Sequence, residues 1–280
     1  MSVQFRPATF NDAQAIDRLV ANFPPLRRDL DAWVNQADLE IAALDDEVVV
    51  GFAARKAHRE HPMRDLASVF VHRRVDERDV SDALYGALIG PRPLKVRLPS
   101  DDIEGLAAAT ARGFVERIRS ATFHVRARDL TGPSTAEEVD LVPRDVFDAF
   151  ALFYANTHTW DPPMDFSRRY VRRSMLAGAR HVVVIRDDDA RVIGVGAAHA
   201  SDDGTVAADV ALVGAVDPTR SDADALTRMA VAKLASFYAD DDRPLWFEVD
   251  HGPGANAPLA RLIDETGASP NDEVLILTND

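Results

Sequence analysis

Cysteine is absent from the 280 residues. That excludes disulfides, thiolate nucleophiles and cysteine-based zinc sites. No apolar run approaches the roughly 20 residues that a membrane-spanning helix needs. Lysine is scarce as well: only Lys56, Lys95 and Lys233 occur, and arginine supplies the rest of the positive charge. Basic residues total 32 against 46 acidic ones, a formal charge of −14. A surface of that sign repels phosphate backbones, so nucleic acid is not an expected partner. The opening residues, MSVQFRPATF, lack the basic start and apolar core of a signal peptide, so the expectation is a cytoplasmic protein without a membrane partner. What the chain does have is apolar content, 46% of residues, enough to build a packed core.

The chain also repeats itself in order. Pro7-Ala8-Thr9-Phe10-Asn11-Asp12-Ala13 matches Pro143-Arg144-Asp145-Val146-Phe147-Asp148-Ala149. Each opens a helical pattern, carried by Ile16, Leu19, Val20 and Phe23 in one copy and by Phe150, Phe153 and Tyr154 in the other. Acidic turns then lead into β-rich runs at Glu47–Ala54 and Arg191–Ala198. Arg78-Asp79-Val80-Ser81-Asp82-Ala83-Leu84 matches Arg220-Ser221-Asp222-Ala223-Asp224-Ala225-Leu226. Arg92-Pro93-Leu94-Lys95-Val96-Arg97-Leu98 matches Arg243-Pro244-Leu245-Trp246-Phe247-Glu248-Val249. The reading is two copies of one domain, 1–128 and 138–280, joined by a polar, Gly- and Pro-containing linker at 129–137. Mixed strands and helices imply an α/β (α+β) class, a sheet flanked by helices.

These motifs, in this order, resemble the GCN5-related N-acetyltransferase (GNAT) superfamily, with two such domains in tandem. In that family a strand ending near a Pro feeds a small-residue loop that opens a helix. Small residues let the backbone approach a diphosphate, and the helix N-terminus attracts the anion. Leu212–Pro218 fits the strand and Arg220-Ser221-Asp222-Ala223-Asp224-Ala225 fits the loop. In the earlier copy the corresponding helix is stopped early by Gly90-Pro91, and Asp102 stands where the later copy has Asn256. The resemblance therefore implies a degenerate first domain and a cofactor-binding second one. Val216, Arg220, Ser221, Asp222, Ala223, Asp224, Ala225 and Asn256 would contact acetyl-CoA, the acyl donor.

The family's acid Tyr is missing in both copies, where Ala109 and Ile263 align. Carboxylates on the strands, Asp209 and Glu248, are the candidate catalytic bases. His158 and Trp160 lie in the loop that covers the acceptor in such domains. With no cysteine to carry an acyl group, transfer to a small-molecule amine would be direct, in a ternary complex. Strand amides near Val216 would polarise the thioester carbonyl. No metal site is read: His58 and His61 lack further ligands, and the acidic runs lack calcium-loop spacing. The arginines 168, 169, 172 and 173 form a basic cluster, read as a solvated face. The chain would act as a monomer or homodimer. The alternative is an inactive protein of the same fold, holding a ligand or serving as a scaffold.

Overall fold

The computed structural model describes residues 3–20, 37, 39–45, 47–72, 75, 77–140, 142–164, 176–201 and 204–280. The arginine cluster at 168–173 and the first copy's Phe23-Pro24-Pro25 lie outside the described residues. The chain divides into two compact units, one of residues 1–119 with 274–280, the other of residues 120–273.

In the first unit β1 (Gln4–Pro7), β2 (Leu39–Asp45), β3 (Val48–Ala57), β4 (Asp65–Val71), β5 (Leu94–Pro99) and β12 (Asp272–Thr278) neighbour one another in that order. Every pairing is antiparallel except β4 with β5. The last strand of the chain thus completes the sheet of the first unit, Val274 opposite Pro99 through Thr278 opposite Lys95. On one face α2 (Glu77–Leu88) and α3 (Ile103–Ala111) cover a core of Val80, Leu84, Tyr85, Leu94, Val96 and Leu98. The other face packs Ile16, Leu19 and Val20 of α1 (Ala13–Val20) on Phe52 and Phe70. These three helix positions are three, four and one apart, the apolar stripe expected of a helix buried on one side.

The second unit repeats the plan. Its sheet runs β6 (Val115–Arg126, from Ser120 onward), β11 (Pro244–His251), β10 (Ala208–Ala215), β9 (Val192–His199), β8 (Ala179–Arg186), β7 (Glu137–Glu138). β10 and β11 are parallel, whereas β9–β10, β8–β9 and β7–β8 are antiparallel. Residues alternate in burial along β11, as period-two patterning requires: Leu245, Phe247 and Val249 enter the core under α5 (Ala223–Ser236) and α6 (Ala257–Glu265). The opposite face carries α4 (Arg144–Asn156), whose Val146, Phe150 and Phe153 pack on Val195, Ala197 and Leu212. Burying each such side chain contributes about 1.5–3 kcal/mol.

Segment 129–137, read from sequence as the joint, lies within the second unit. Leu130 and Ala136 are buried in its core, and the Ser134 hydroxyl donates to the Met229 carbonyl at 2.7 Å. Polarity and a Gly-Pro pair describe this backbone's turns, while its two apolar side chains set its packing.

Candidate functional site: a parted pair of strands in the second unit

β10 and β11 stay in register for three residues only, Ala208 with Leu245, Asp209 with Trp246 and Val210 with Phe247. One extra residue then interrupts the pairing of β10 with β9, between Val210 and Leu212. A bulge increases twist and bends its strand, and here it begins where contact with β11 ends. Both strands continue unpaired with one another, to Ala215 and His251.

The opened edge of β10 is served by side chains. Asn256 Nδ2 donates to the Val213 carbonyl at 2.9 Å, and the Ala215 amide donates to Thr227 Oγ1 at 3.2 Å. Between them Gly214 adopts a φ of 151°, a region side-chain-bearing residues rarely enter. A Cβ there would stand 3.1 Å from Asn256 Nδ2 and from Phe153 Cε2. Asn256 occupies the N-cap of α6, yet its side chain makes no capping bond. Its Oδ1 is buried and has no hydrogen-bond partner among the described residues. An orphaned buried acceptor costs about 1–3 kcal/mol, so a ligand N–H at that point is chemically invited.

Val216 follows the strand, with its amide donated to the Ile193 carbonyl (2.9 Å) and its carbonyl accepting from Asn156 Nδ2 (2.8 Å). Its backbone is therefore spent on anchoring β10, and the amide expected to polarise a thioester is engaged. Beyond it, the Asp217 carboxylate accepts from the Thr219 amide and hydroxyl, 2.9 and 2.6 Å. Arg220 donates from Nε and Nη2 to both oxygens of Asp222, each at 2.8 Å, which holds the Asp222 carboxyl below the usual carboxylate range. Asp224 is drawn aside by Arg261 of α6. Neither aspartate is buried, and both are tied to arginines. Ser221 and Ala225 flank them, and Ala223 turns into the core. The amides of Asp224 and Ala225, at the start of α5, have no acceptor among the described residues. Helix-start N–H groups of this kind bind phosphate oxygens.

The strand carboxylates lie on the sheet face away from the α5–α6 core. Asp209 sits where β10 is still paired, opposite Trp246 and His199. Glu248 is one residue past the last paired position of β11 and accepts from Ser120 Oγ at 3.0 Å.

His158 and Trp160 follow α4. His158 Nδ1 donates to the Tyr154 carbonyl at 2.8 Å, and its ring packs 4.1 Å from Tyr154 and 6.4 Å from Trp160. This loop meets the one after β11: a Cβ on Gly254 (φ 77°) would collide with Thr159 Oγ1 and stand 3.2 Å from the Trp160 amide. The structure thus gathers His158, Trp160, Asn256, Val216 and the 220–225 loop about the parted ends of β10 and β11. Asp209 lies back along the strand. A cavity of about 400 Å³ opens beside Val216, lined by Ala149, Leu152, Ala155, Pro163 and Met164, with Asp145 and Asp148 among its walls.

Sequence reasoning passed over Asn156, Gly214 and Thr227. Gly214 was the legible one, since a glycine inside an apolar strand marks close backbone approach. Among the described residues no group of three or more His, Asp or Glu is placed to hold a metal ion, and no helix is long and apolar enough to cross a membrane.

No protein-family model matches the chain, and no curated protein matches it by sequence. Solved structures do. A GCN5-related N-acetyltransferase from Sphaerobacter thermophilus superposes with a TM-score of 0.66 at 16% identity, over 99% of this chain and 95% of that one. A tandem GNAT protein from the clavulanic acid biosynthesis pathway gives 0.59 at 14% identity, over 99% and 98%. A GNAT-family acetyltransferase from Colwellia psychrerythraea gives 0.56 at 9% identity, over 99% of each chain. The chain is therefore built on the fold of the GCN5-related N-acetyltransferases, in the tandem arrangement.

Proposed function

We propose that the second unit is the working half of an acyl-CoA-dependent N-acyltransferase, and that the first unit is a degenerate copy. The observation that carries this is the buried, unpartnered Asn256 Oδ1 beside a strand edge that parts from its neighbour. An extended chain bearing amide N–H groups, such as the pantetheine arm of acetyl-CoA, satisfies that acceptor. The open amides of Asp224 and Ala225 suit the diphosphate at its other end. Arg220 contributes charge once the anion competes with Asp222 for its guanidinium. Acetyl-CoA is a substrate here, the acyl donor, and the acceptor's nitrogen attacks it directly because no cysteine exists to form an acyl-enzyme.

The acceptor is a small-molecule amine in this reading. The cavity beside Val216 is of small-molecule size. Asp209 and Glu248 give the neighbouring face negative charge, which raises the local concentration of a protonated amine. The protein would be cytoplasmic, with no nucleic-acid or membrane partner. It would work as a monomer or homodimer.

Calorimetry with acetyl-CoA tests the donor site. Micromolar to low-millimolar binding, weakened about tenfold by Asn256→Ala, is the expected outcome. No binding at millimolar acetyl-CoA would leave the alternative, a fold kept as a scaffold. Release of the CoA thiol on adding amines then separates an enzyme from a binder.

A further inference from the structure

We infer that the cavity beside Val216 takes a diamine with an apolar spacer, one ammonium held by Asp148 while the other nitrogen is the acceptor. The inference rests on the transferase reading above and names the substrate class of that same site. Along α4, Asp145, Asp148, Leu152 and Ala155 are three, four and three residues apart, so they form one stripe of the helix. All four line the cavity of about 400 Å³. The other side of the helix, with Val146, Phe150 and Phe153, packs on the sheet. The cavity wall is thus graded, with carboxylates toward the start of α4 and apolar side chains toward its end.

Each part of that wall suits a different part of a ligand. Leu152 and Met164 are large apolar side chains left 53% and 43% exposed, and both line the cavity. An alkyl chain laid over them removes apolar surface from water, which a bare cation does not. Asp145 is committed within the protein. Its Oδ2 accepts from Arg186 Nη1 at 2.8 Å, which holds its carboxyl below the usual carboxylate range. Asp148 has a looser ion-pair contact, 3.9 Å from Nε of an almost fully exposed Arg144. A pair so placed is worth little, so Asp148 exchanges Arg144 for a ligand ammonium at small cost.

The two ends of the cavity have fixed places. Seven residues separate Asp148 from Ala155, about 10 Å along the helix axis. Asn156, next to Ala155, bonds the Val216 carbonyl at 2.8 Å, which sets the apolar end at the tip of β10. Val216 itself lines the cavity there. A diamine anchored at Asp148 therefore presents its second nitrogen at the strand tip. The transfer balances: the reacting ammonium sheds one proton to water, its lone pair forms the C–N bond, and the C–S bond breaks with its electron pair on sulfur. The second proton lost from nitrogen ends on that sulfur as the CoA thiol.

Calorimetry with 1,6-diaminohexane comes first, because it needs no turnover. Binding by the wild type is expected to weaken about fivefold in Asp148→Asn and to be kept in Asp148→Glu. Acetyl transfer is then compared for 1,6-diaminohexane, hexylamine and 6-aminohexanoate, whose remote groups are positive, neutral and negative. Values of kcat/KM are expected to fall in that order, and the differences to shrink in Asp148→Asn and at high salt. No binding of the diamine, binding indifferent to Asp148→Asn, or equal use of the three amines overturns the inference while acetyl-CoA binding leaves the donor site standing. Diamine binding without acetyl-CoA binding removes the transferase reading, and with it the diamine as acceptor.

Discussion

Asp102 and Asn256 stand at the same point of the two repeats, each at the N-cap of the helix that follows the later strand of its unit's parallel pair, β5 or β11. Asp102 accepts from the Gly105 amide at 2.9 Å and caps α3. Asn256 turns its amide to Val213 and leaves α6 without a side-chain cap. The same contrast recurs at each matched position. Where the second unit has Gly214 with φ 151° and a bulge, the first has Phe70 on an uninterrupted ladder, with its ring in the α1 core. Tyr85 fills the place of Thr227. Its hydroxyl is buried with no hydrogen-bond partner among the described residues, and burial pushes it far above the usual tyrosine range. Lys95 and Arg97 stand for Trp246 and Glu248. In both units the parallel pair parts after three residues. Parting is thus a property of the scaffold. What differs among the described residues is how the parted edge is finished: with the rings of Phe70 and Tyr85 in the first unit, and with Asn256 and Thr227 bonded to the strand backbone in the second.

The sharpest break of that comparison is at Gly214. Gly214→Val is expected to abolish acetyl-CoA binding and to destabilise the protein by about 1–3 kcal/mol, read by calorimetry and by urea unfolding, because the backbone there excludes a Cβ. Next come the matched caps. Asn256→Ala should weaken acetyl-CoA about tenfold with little loss of stability, whereas Asp102→Ala should cost about 0.5–2 kcal/mol of stability and leave affinity unchanged. Equal effects of the two would erase the distinction between the units. Smaller still is Arg220→Ala. Its side chain is about one-third exposed and already clasped by Asp222, so a loss of a few-fold in affinity is expected. Arg78→Ala in the first unit should leave affinity unchanged.

A pH effect distinguishes the units in another way. Asp12 is buried, with both oxygens bonded by Arg6 at 2.7 and 2.8 Å and further bonds from Thr9. These hold its carboxyl well below the usual carboxylate range. A lowered carboxyl stabilises above its unfolded value, about 3.9, and that contribution is lost as pH falls. Asp12→Asn should therefore flatten the acid limb of stability measured by urea melts below pH 4. A variant as acid-sensitive as the wild type would discount the pair. Its repeat counterpart Asp148 is half-buried and lies 3.9 Å from Arg144.

The tandem arrangement and the sheet-and-helix class were legible because they rest on repeated landmarks such as Pro7/Pro143 and Arg78/Arg220. Asn256 was legible as a position but not as a hydrogen-bonding choice. Nothing local tells whether an N-cap side chain will cap its helix or reach a strand 43 residues earlier. Asp222 and Asp224 carry the same sign of charge as a diphosphate, and pairing with Arg220 and Arg261 offsets that charge. Arg220 is a neighbour in the loop, but Arg261 is brought to Asp224 from α6, 37 residues on, which spacing does not reveal. The exchange of strand ends is equally hidden. Val274–Asp280 has an apolar β pattern that fits either copy, and only pairing with β5 decides its place.

Hydrogen exchange of the full chain, with and without saturating acetyl-CoA, addresses the asymmetry between the units directly. Slowed exchange at 213–226 and 256–262, with none at 67–84 or 102–110, is the predicted pattern. Equal slowing in both sets, or slowing in the first unit alone, would contradict it.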